Sequence, residues 1–267
     1  MTMFNKIMIK LSFLLLILFS AAFLSSCTES SQVADETAKP KETVPTAEII
    51  ANTDNDCRQH EDLSKLRECI KLLATARNPD NRNYEVEWKF AKYNYFLGKQ
   101  TDKEEESEKA FKDGVEAGKI ASRIEPNKPD GYFWYGANLG EQAKRAPLTK
   151  GLISVGDIRE AMNKVIEIEP SYQGASAYDV LAQIELATSL TGGKPEKAVE
   201  YLEKALELEK ENTFIRLHLA EAYLKVNRKA DAKKQIDYLL QMKPDPNYLP
   251  EYEESTKKAK ELLKTRF

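Results

Sequence analysis

The sequence has few of the residues that build metal centres and nucleic-acid interfaces. Its 267 residues include only two histidines and three cysteines, too few for a multi-Cys/His zinc scaffold. It has no basic excess, since 40 Lys and Arg stand against 43 Asp and Glu, whereas nucleic-acid-binding domains normally carry one. Glycine and proline number 11 each, far fewer than in collagen-like or Pro/Gly-rich disordered chains. We therefore expect a packed core, no metal, no cofactor and no nucleic-acid partner.

Signatures of catalysis are also missing. His60 and His218 are isolated, and neither lies in a His-Glu-x-x-His motif of the kind that supports zinc hydrolysis. The segment Gly192-Gly193-Lys194-Pro195 lacks the spacing of a phosphate-binding loop, and its composition is typical of a turn followed by a helix that starts at a proline. These absences predict a protein that is not an enzyme.

The N-terminal residues have the layout of a secretory signal. Lys6 and Lys10 precede an apolar run over residues 11–24. This run is too short to cross a bilayer comfortably. The run leads into Leu24-Ser25-Ser26-Cys27, which resembles the bacterial lipoprotein box. The resemblance implies that residues 1–26 are removed and that Cys27 is lipidated and anchors the chain in the cell envelope. An ordinary signal peptide with an incidental cysteine is the alternative. By the sorting rule of enterobacterial lipoproteins, Thr28 indicates the outer membrane, facing the periplasm.

Residues 27–56 are rich in Ser, Thr, Glu, Lys, Asn and Pro and have no sustained period, which predicts a disordered tether. The remaining cysteines, Cys57 and Cys69, favour a disulfide in an exported protein. One straight helix would hold them about 18 Å apart, beyond the reach of a disulfide, so the bond needs a turn near Asp62-Leu63-Ser64. Two buried thiols are the alternative.

From about residue 62 to the end, apolar residues recur three and four apart, as in amphipathic helices. Four similar phrases recur at steps of 44, 40 and 34 residues, and three of them finish in a proline that would end a helix. The phrases are Ala121–Pro126, Val165–Pro170, Ala205–Lys210 and Leu239–Pro244. They resemble the tetratricopeptide repeat, a helix–turn–helix unit that must stack on its neighbours. We therefore predict an all-α helical-hairpin solenoid over residues 57–267, closed by a capping helix from about Leu249.

The candidate binding residues follow from an aromatic cluster over residues 132–135. Helical spacing brings Tyr132, Tyr135 and Asn138 near one face, and the first helices of tetratricopeptide pairs line a concave groove. We predict that these three residues and Arg145 bind a ligand or partner. Arg145 would supply positive charge to an acidic partner. The alternative is that the aromatic residues are core. The long segment 146–156 is either a functional loop or a lid, and Asp157 is a candidate helix cap.

Residues 131–140, 192–198 and 259–263 are similar to the T-component lipoproteins (TatT family) associated with TRAP-type uptake systems. That resemblance implies a helical-repeat body, an apolar cavity and a periplasmic solute-binding protein as partner. Two functions follow as expectations. The first is an envelope lipoprotein whose groove binds a protein or peptide as a scaffold. The second is an accessory component of a TRAP-type system that binds a small apolar ligand.

Overall fold

The computed structural model describes residues 44–57, 62–146, 151–244 and 249–267. The described residues form eleven helices and no strand. They are α1 (Thr46–Asp56), α2 (Leu63–Ala76), α3 (Tyr84–Gln100), α4 (Glu104–Ile124), α5 (Pro129–Arg145), α6 (Leu152–Ile168), α7 (Tyr172–Ala187), α8 (Pro195–Leu208), α9 (Thr213–Lys225), α10 (Lys229–Gln241) and α11 (Leu249–Arg266). The predicted all-α solenoid with a C-terminal helix is confirmed. Within these ranges every helix is too short or too polar to span a bilayer.

The repeated phrases end the second helix of each pair, as predicted. They fall at the C-terminal ends of α4, α6, α8 and α10. Residues suited to the first turn begin several helices: Asn83 and Asn212 cap α3 and α9 with their side-chain oxygens, while Pro129 and Pro195 open α5 and α8. Proline suits this position because the first turn has no partner for its missing N–H. Local chemistry thus fixes where the helices start and stop.

The helices form consecutive pairs. In the part of the chain that the structure describes, only the first helix of each pair contacts the corresponding helix of the next pair. Each first helix (α3, α5, α7, α9) contacts the following first helix, and α9 contacts α11, whereas among the described residues α4, α6, α8 and α10 make no such contacts with one another. The first helices therefore line one continuous surface. We call the surface formed by α3, α5, α7, α9 and α11 the inner face.

The predicted tether is partly wrong, because its end is helical. Residues 27–43 lie outside the described part of the chain, as do the predicted signal peptide and Cys27. Helix α1, however, occupies residues 46–56 and buries Ile49 and Thr53. Ile49 joins the hydrophobic core, and the Tyr93 hydroxyl donates to the Thr53 carbonyl at 3.1 Å. The short apolar stretch around Ile49 is therefore a docked helix, held by contacts with α3 that a local reading of composition does not reveal.

A disulfide joins Cys57, at the end of α1, to Cys69 in α2, with the two Cα atoms 6.7 Å apart. Helix α2 begins after Asp62, whose carboxylate accepts hydrogen bonds from the backbone N–H groups of Ser64 and Lys65. The chain thus turns between the two cysteines near the segment that the sequence indicates. Both residues are buried in the core.

The segment 146–156 is partly helical. Helix α6 already begins at Leu152, and residues 147–150 lie outside the described ranges. Asp157 therefore lies inside α6 and does not cap it, which corrects that expectation. Its carboxylate instead accepts a hydrogen bond from the Tyr135 hydroxyl at 3.2 Å.

Candidate functional site

The inner face is the surface on which side chains from most of the first helices converge. Tyr95 of α3 lies at its centre, where burial raises the pKa of the hydroxyl. The carboxylates of Glu141, Asp179 and Glu254 raise it further. These three acids belong to α5, α7 and α11, so four helices bring charged or polar groups to one region.

Aromatic rings form the floor of the N-terminal half of this face. The Trp134 ring lies 5.6 Å from Tyr95 and 5.7 Å from Phe96, between ring centroids. Phe133 packs against Tyr172 of α7 at 5.4 Å. Trp134 and Phe133 are 2% and 6% exposed, so these two rings belong to the core. Edge-to-face and tilted contacts of this kind favour a fixed packing between α3, α5 and α7.

The carboxylate of Asp130 joins three first helices at one end of the floor. It accepts hydrogen bonds from the Tyr84 hydroxyl of α3 at 2.6 Å and from the Tyr172 hydroxyl near the start of α7 at 2.7 Å. Burial and this carboxylate raise the pKa of both tyrosines, so both remain protonated donors. Hydrogen bonds to a charged acceptor are stronger than neutral ones, and Asp130 therefore fixes the relative positions of α3, α5 and α7.

Lys92 lies on α3 beside this floor, one turn before Tyr95 and Phe96. Its side chain is partly buried, and burial lowers the pKa of its ammonium group, with a further lowering from the charge of Lys89. The ammonium lies 5.7 Å from the centroid of the Tyr93 ring. Among the described residues Lys92 has no carboxylate within ion-pair distance.

Opposite charges are paired along the rest of the inner face. Lys99 of α3 lies 3.8 Å from Glu141 of α5, and the Lys144 ammonium lies 2.9 Å from the same carboxylate. Helix α11 contributes the pair Lys258 and Glu254, at 2.6 Å. The hydrogen bond from Lys258 and the charges of Lys99 and His218 lower the pKa of Glu254. The face is therefore polar and mixed in charge toward its C-terminal end.

His218 of α9 and Asp179 of α7 form a contact between neighbouring repeats. Nδ1 of His218 lies 2.7 Å from a carboxylate oxygen of Asp179, and the Phe214 ring stacks on the imidazole at 6.0 Å. Burial alone would lower the pKa of His218, but the charge and hydrogen bond of Asp179 outweigh it and raise the pKa. The pair thus holds α7 and α9 together more strongly when His218 is protonated.

Asn138, a predicted binding residue, lies where no partner can reach it. It is 0% exposed, and its Nδ2 donates to the carbonyls of Ala91 at 3.1 Å and Trp134 at 2.7 Å. A Cβ added at Gly114 would lie 2.3 Å from its Oδ1, so α4 approaches this side chain closely. Asn138 therefore connects α3, α4 and α5, which corrects its assignment to partner binding.

Tyr132 and Tyr135 contact second helices, and Arg145 lies against a ring of α4. The Tyr135 hydroxyl donates to Asp157 of α6, and Lys119 of α4 lies 5.9 Å from its ring centroid. Burial raises the pKa of Tyr135 to about 12. Tyr132 also faces α6. The guanidinium of Arg145 lies 5.1 Å from the Phe111 ring centroid of α4. Tyr132 and Tyr135 thus meet the second helices, whereas the groove belongs to the first.

The sequence does contain a signal for Lys92 and Tyr95. Trp88, Lys92, Tyr95 and Lys99 follow one another at helical steps of four, three and four residues, so they share one face of α3. The same spacing predicts neither which face turns inward nor which charges find partners, because both depend on the neighbouring helices.

Two pockets of the described surface are shallow and lined largely by charged side chains. One lies along α11, and the other lies between Tyr132 and the Glu160–Glu167 side of α6. Neither has the apolar lining expected of a cavity for a small apolar ligand.

Residues 49–266 match the family described as "Regulator of microtubule dynamics protein 1-3". No curated protein matches the sequence. Among solved structures, the chain is similar to TTC0263, a thermophilic TPR protein of Thermus thermophilus. The identity is 21% and the TM-score 0.56, over 77% of this chain and 98% of that one. A structure of MamA gives 15% identity and a TM-score of 0.46, over 74% and 92%. The first similarity places the fold among the tetratricopeptide-like helical arrays.

Proposed function

This chain belongs to the family described as Regulator of microtubule dynamics protein 1-3, and we propose that it is a non-enzymatic scaffold whose inner face binds a segment of a protein partner. The observation that supports the proposal is the convergence of partly exposed polar and aromatic side chains on one surface. They come from successive first helices: Lys92, Tyr95 and Lys99 on α3, Glu141 on α5, Asp179 on α7, His218 and Glu221 on α9, and Glu254 on α11.

A protein segment fits this surface better than a small apolar ligand does. The side chains are spread along the whole array, and an extended segment can contact many of them at once. The T-component alternative requires an apolar cavity, whereas the two pockets along α11 and beside Tyr132 are shallow and lined largely by charged side chains. We therefore place protein binding first and the TRAP-type role second.

We further propose that the chain is attached to the cell envelope through a lipidated Cys27, on the periplasmic side of the outer membrane. The proposal rests on the basic residues, the apolar run and the Leu24–Cys27 box of the N-terminal sequence. Export argues against the role that the family description names, because regulation of microtubule dynamics takes place inside cells. In this proposal, the chain shares with its family the use of a helical array to bind another protein.

Site-specific photo-crosslinking tests the scaffold function. A photoreactive amino acid replaces Glu221 on the inner face, and in a matched control it replaces the exposed Glu200 on α8. Both variants are full chains produced in the cells that naturally make the protein. We expect one defined protein to be crosslinked from position 221 and not from position 200. Equal crosslinking from both positions, or none from position 221, would contradict binding at the inner face.

Lipidation is tested separately with a Cys27→Ala variant and radiolabelled palmitate. We expect the parent chain to incorporate the label and to partition with membranes, and the variant to do neither. Labelling of the variant, or release of the parent chain as a soluble protein, would contradict the proposed anchor.

A further inference from the structure

Lys92 differs from Lys89 because, among the residues that the structure describes, no carboxylate lies within ion-pair distance of its ammonium. Three residues earlier on α3, the ammonium of Lys89 lies 2.6 Å from Asp54 and 3.6 Å from Glu85. The two acids whose charges act on Lys92, Asp54 and Asp130, are already engaged. Asp54 binds Lys89, and Asp130 accepts from two tyrosine hydroxyls.

An ammonium that is partly withdrawn from water without a partner is unfavourable for the folded protein. Proteins retain such groups mainly where they are used, because stability and function are often in conflict at binding sites. Trp88, Tyr95 and Phe96, which are partly exposed, lie within one turn of Lys92 on α3. A cationic group beside aromatic surface is suited to a ligand that has an anionic group next to an apolar one.

We propose that Lys92 binds a carboxylate of the protein segment that occupies the inner face, with an apolar side chain of that segment against Trp88, Tyr95 or Phe96. The inference rests on the proposed scaffold function and adds the chemistry of the partner, an acidic and apolar sequence. The sequence pattern alone assigned the positive charge of this site to Arg145, whereas the structure assigns it to Lys92.

Charge favours a carboxylate over a phosphate here. Asp54, Asp130 and Glu141 lie around this part of the inner face, and repulsion from them grows with the charge of the ligand. A carboxylate carries one negative charge and a phosphate group up to two. A peptide carboxylate is therefore a better match than a phosphomonoester, and the experiment separates it from a lipid headgroup, whose phosphodiester also carries one negative charge.

Acylation of Lys92 provides the readout. The full chain in detergent is treated with a trace of an amine-acylating reagent, and the modification of Lys92 relative to Lys119 is measured by mass spectrometry. Lys119 lies on α4, near Tyr135 and away from the inner face. Four probes are compared. The first is the peptide N-acetyl-Ala-Glu-Phe-Glu-Ala-amide, and the second is the same peptide with both Glu residues replaced by Gln. The third is the Gln peptide with a free C-terminal carboxylate in place of the amide, and the fourth is phosphatidylglycerol vesicles.

We expect the Glu peptide to protect Lys92 and the uncharged Gln peptide not to protect it. Protection by the free C-terminal carboxylate would also support the proposal and would identify the source of the carboxylate. Protection by the vesicles alone, or by no probe, would overturn it. A Lys92→Gln variant should bind the Glu peptide about tenfold more weakly, as expected for the loss of one charged hydrogen bond, and Lys92→Arg should retain most of the binding.

A stability measurement separates this role from a structural one. Since the unpaired charge destabilises the fold, Lys92→Met should unfold at an equal or higher urea concentration than the parent chain while losing peptide binding. A clear loss of stability in Lys92→Met would mean that Lys92 is a structural residue and would overturn the proposal. If position 221 still crosslinks its partner in Lys92→Gln with unchanged efficiency, this inference fails while the scaffold function stands.

Discussion

The two halves of the helical array reach a packed core by different means. From α7 to α11 the core consists mainly of small and medium apolar residues at regular spacing, among them Ala198, Leu202, Ala220, Ala232 and Leu239, together with the rings of Tyr178 and Tyr223. From α1 to α6 it contains a larger set of aromatic rings and a disulfide. The C-terminal half, from α7 to α11, follows the repeat pattern closely. Small and large apolar residues alternate in its core. The N-terminal half departs from that pattern, with a helix as long as the 21 residues of α4, and depends on individual polar contacts.

Buried charge occurs in both halves, at Glu87 and Lys89 in the N-terminal half and at Glu185 and Arg216 in the C-terminal half. Glu87 is 0% exposed and is held by Arg77 at 2.9 Å and Arg82 at 2.8 Å. Arg77 in turn lies 4.4 Å from the Phe90 ring centroid. In the C-terminal half, Lys233 and Asp237 form an exposed pair on α10.

The largest expected effect is that of Glu87→Ala. Removing one partner of a buried ion pair leaves the other charges without compensation, which costs about 3–5 kcal/mol. Urea denaturation should show a loss of this size in the free energy of unfolding. The control Asp237→Ala breaks the exposed pair and should cost less than about 1 kcal/mol. Equal effects of the two substitutions would contradict a special contribution of the buried ion pairs of Glu87 to stability.

An apolar substitution tests the C-terminal half. Leu202 is fully buried among the repeat alanines, so Leu202→Ala removes apolar contacts and leaves a cavity, at a cost of about 2–5 kcal/mol. Leu208, at the end of the same helix, is 42% exposed, and Leu208→Ala should change stability by less than about 0.5 kcal/mol. Thermal or urea unfolding compares the two, and a small effect of Leu202→Ala would show that this half is loosely packed.

The disulfide should matter less than these buried contacts. It closes a loop of 12 residues, and a loop of this length predicts a stabilisation of about 2–3 kcal/mol. Urea denaturation of the oxidised and reduced parent chain measures the effect without a change of sequence, and a Cys57→Ala/Cys69→Ala variant should match the reduced form. Identical curves for the oxidised and reduced chain would show that the contacts of α1 with the core, Lys89 and Tyr93 hold it without help from the disulfide.

The smallest expected effect is the dependence of stability on pH at His218. Because the pKa of His218 is raised in the folded protein, its contribution is fully present below the unfolded value of about 6.5 and is lost as pH rises through the folded value. Asp179 on α7, Glu221 on α9 and Lys258 on α11 act on the imidazole. His218→Gln should therefore be more destabilising near pH 5.5 than near pH 9 in urea unfolding.

Asp179→Asn serves as the control for that experiment. It removes the main cause of the raised pKa and should reduce the difference between the two pH values. A parent chain and a His218→Gln variant that differ equally at both pH values would rule out a charged contact between α7 and α9.

Helix boundaries could be predicted well from this sequence because they depend on nearby residues. The prolines after α4, α6 and α10 and the caps Asn83 and Asn212 act within a turn of themselves. Helix α1 could not be predicted in the same way. Its residues Thr53 and Asp54 are held by Tyr93 and Lys89, which are about 35–40 positions away.

The surroundings of the predicted binding residues could be foreseen less well, because they depend on the direction in which each side chain points. The aromatic cluster was found, but Asn138 is buried between three helices and Tyr135 faces α6. The residues that reach the inner face, Lys92 and Tyr95, lie on a different first helix. Periodicity shows which side chains share a face, whereas the packing of neighbouring helices decides what that face meets.

The amino-acid sequence by itself determined the helices, their pairing and their stacking into an array, since helical period, caps and prolines are local properties that repeat along the chain. Only the tertiary structure decided which charges were neutralised and which side chains faced inward. Those outcomes depend on atoms from three or four helices meeting at one point, as at Asp130, and no segment of the chain contains that information alone.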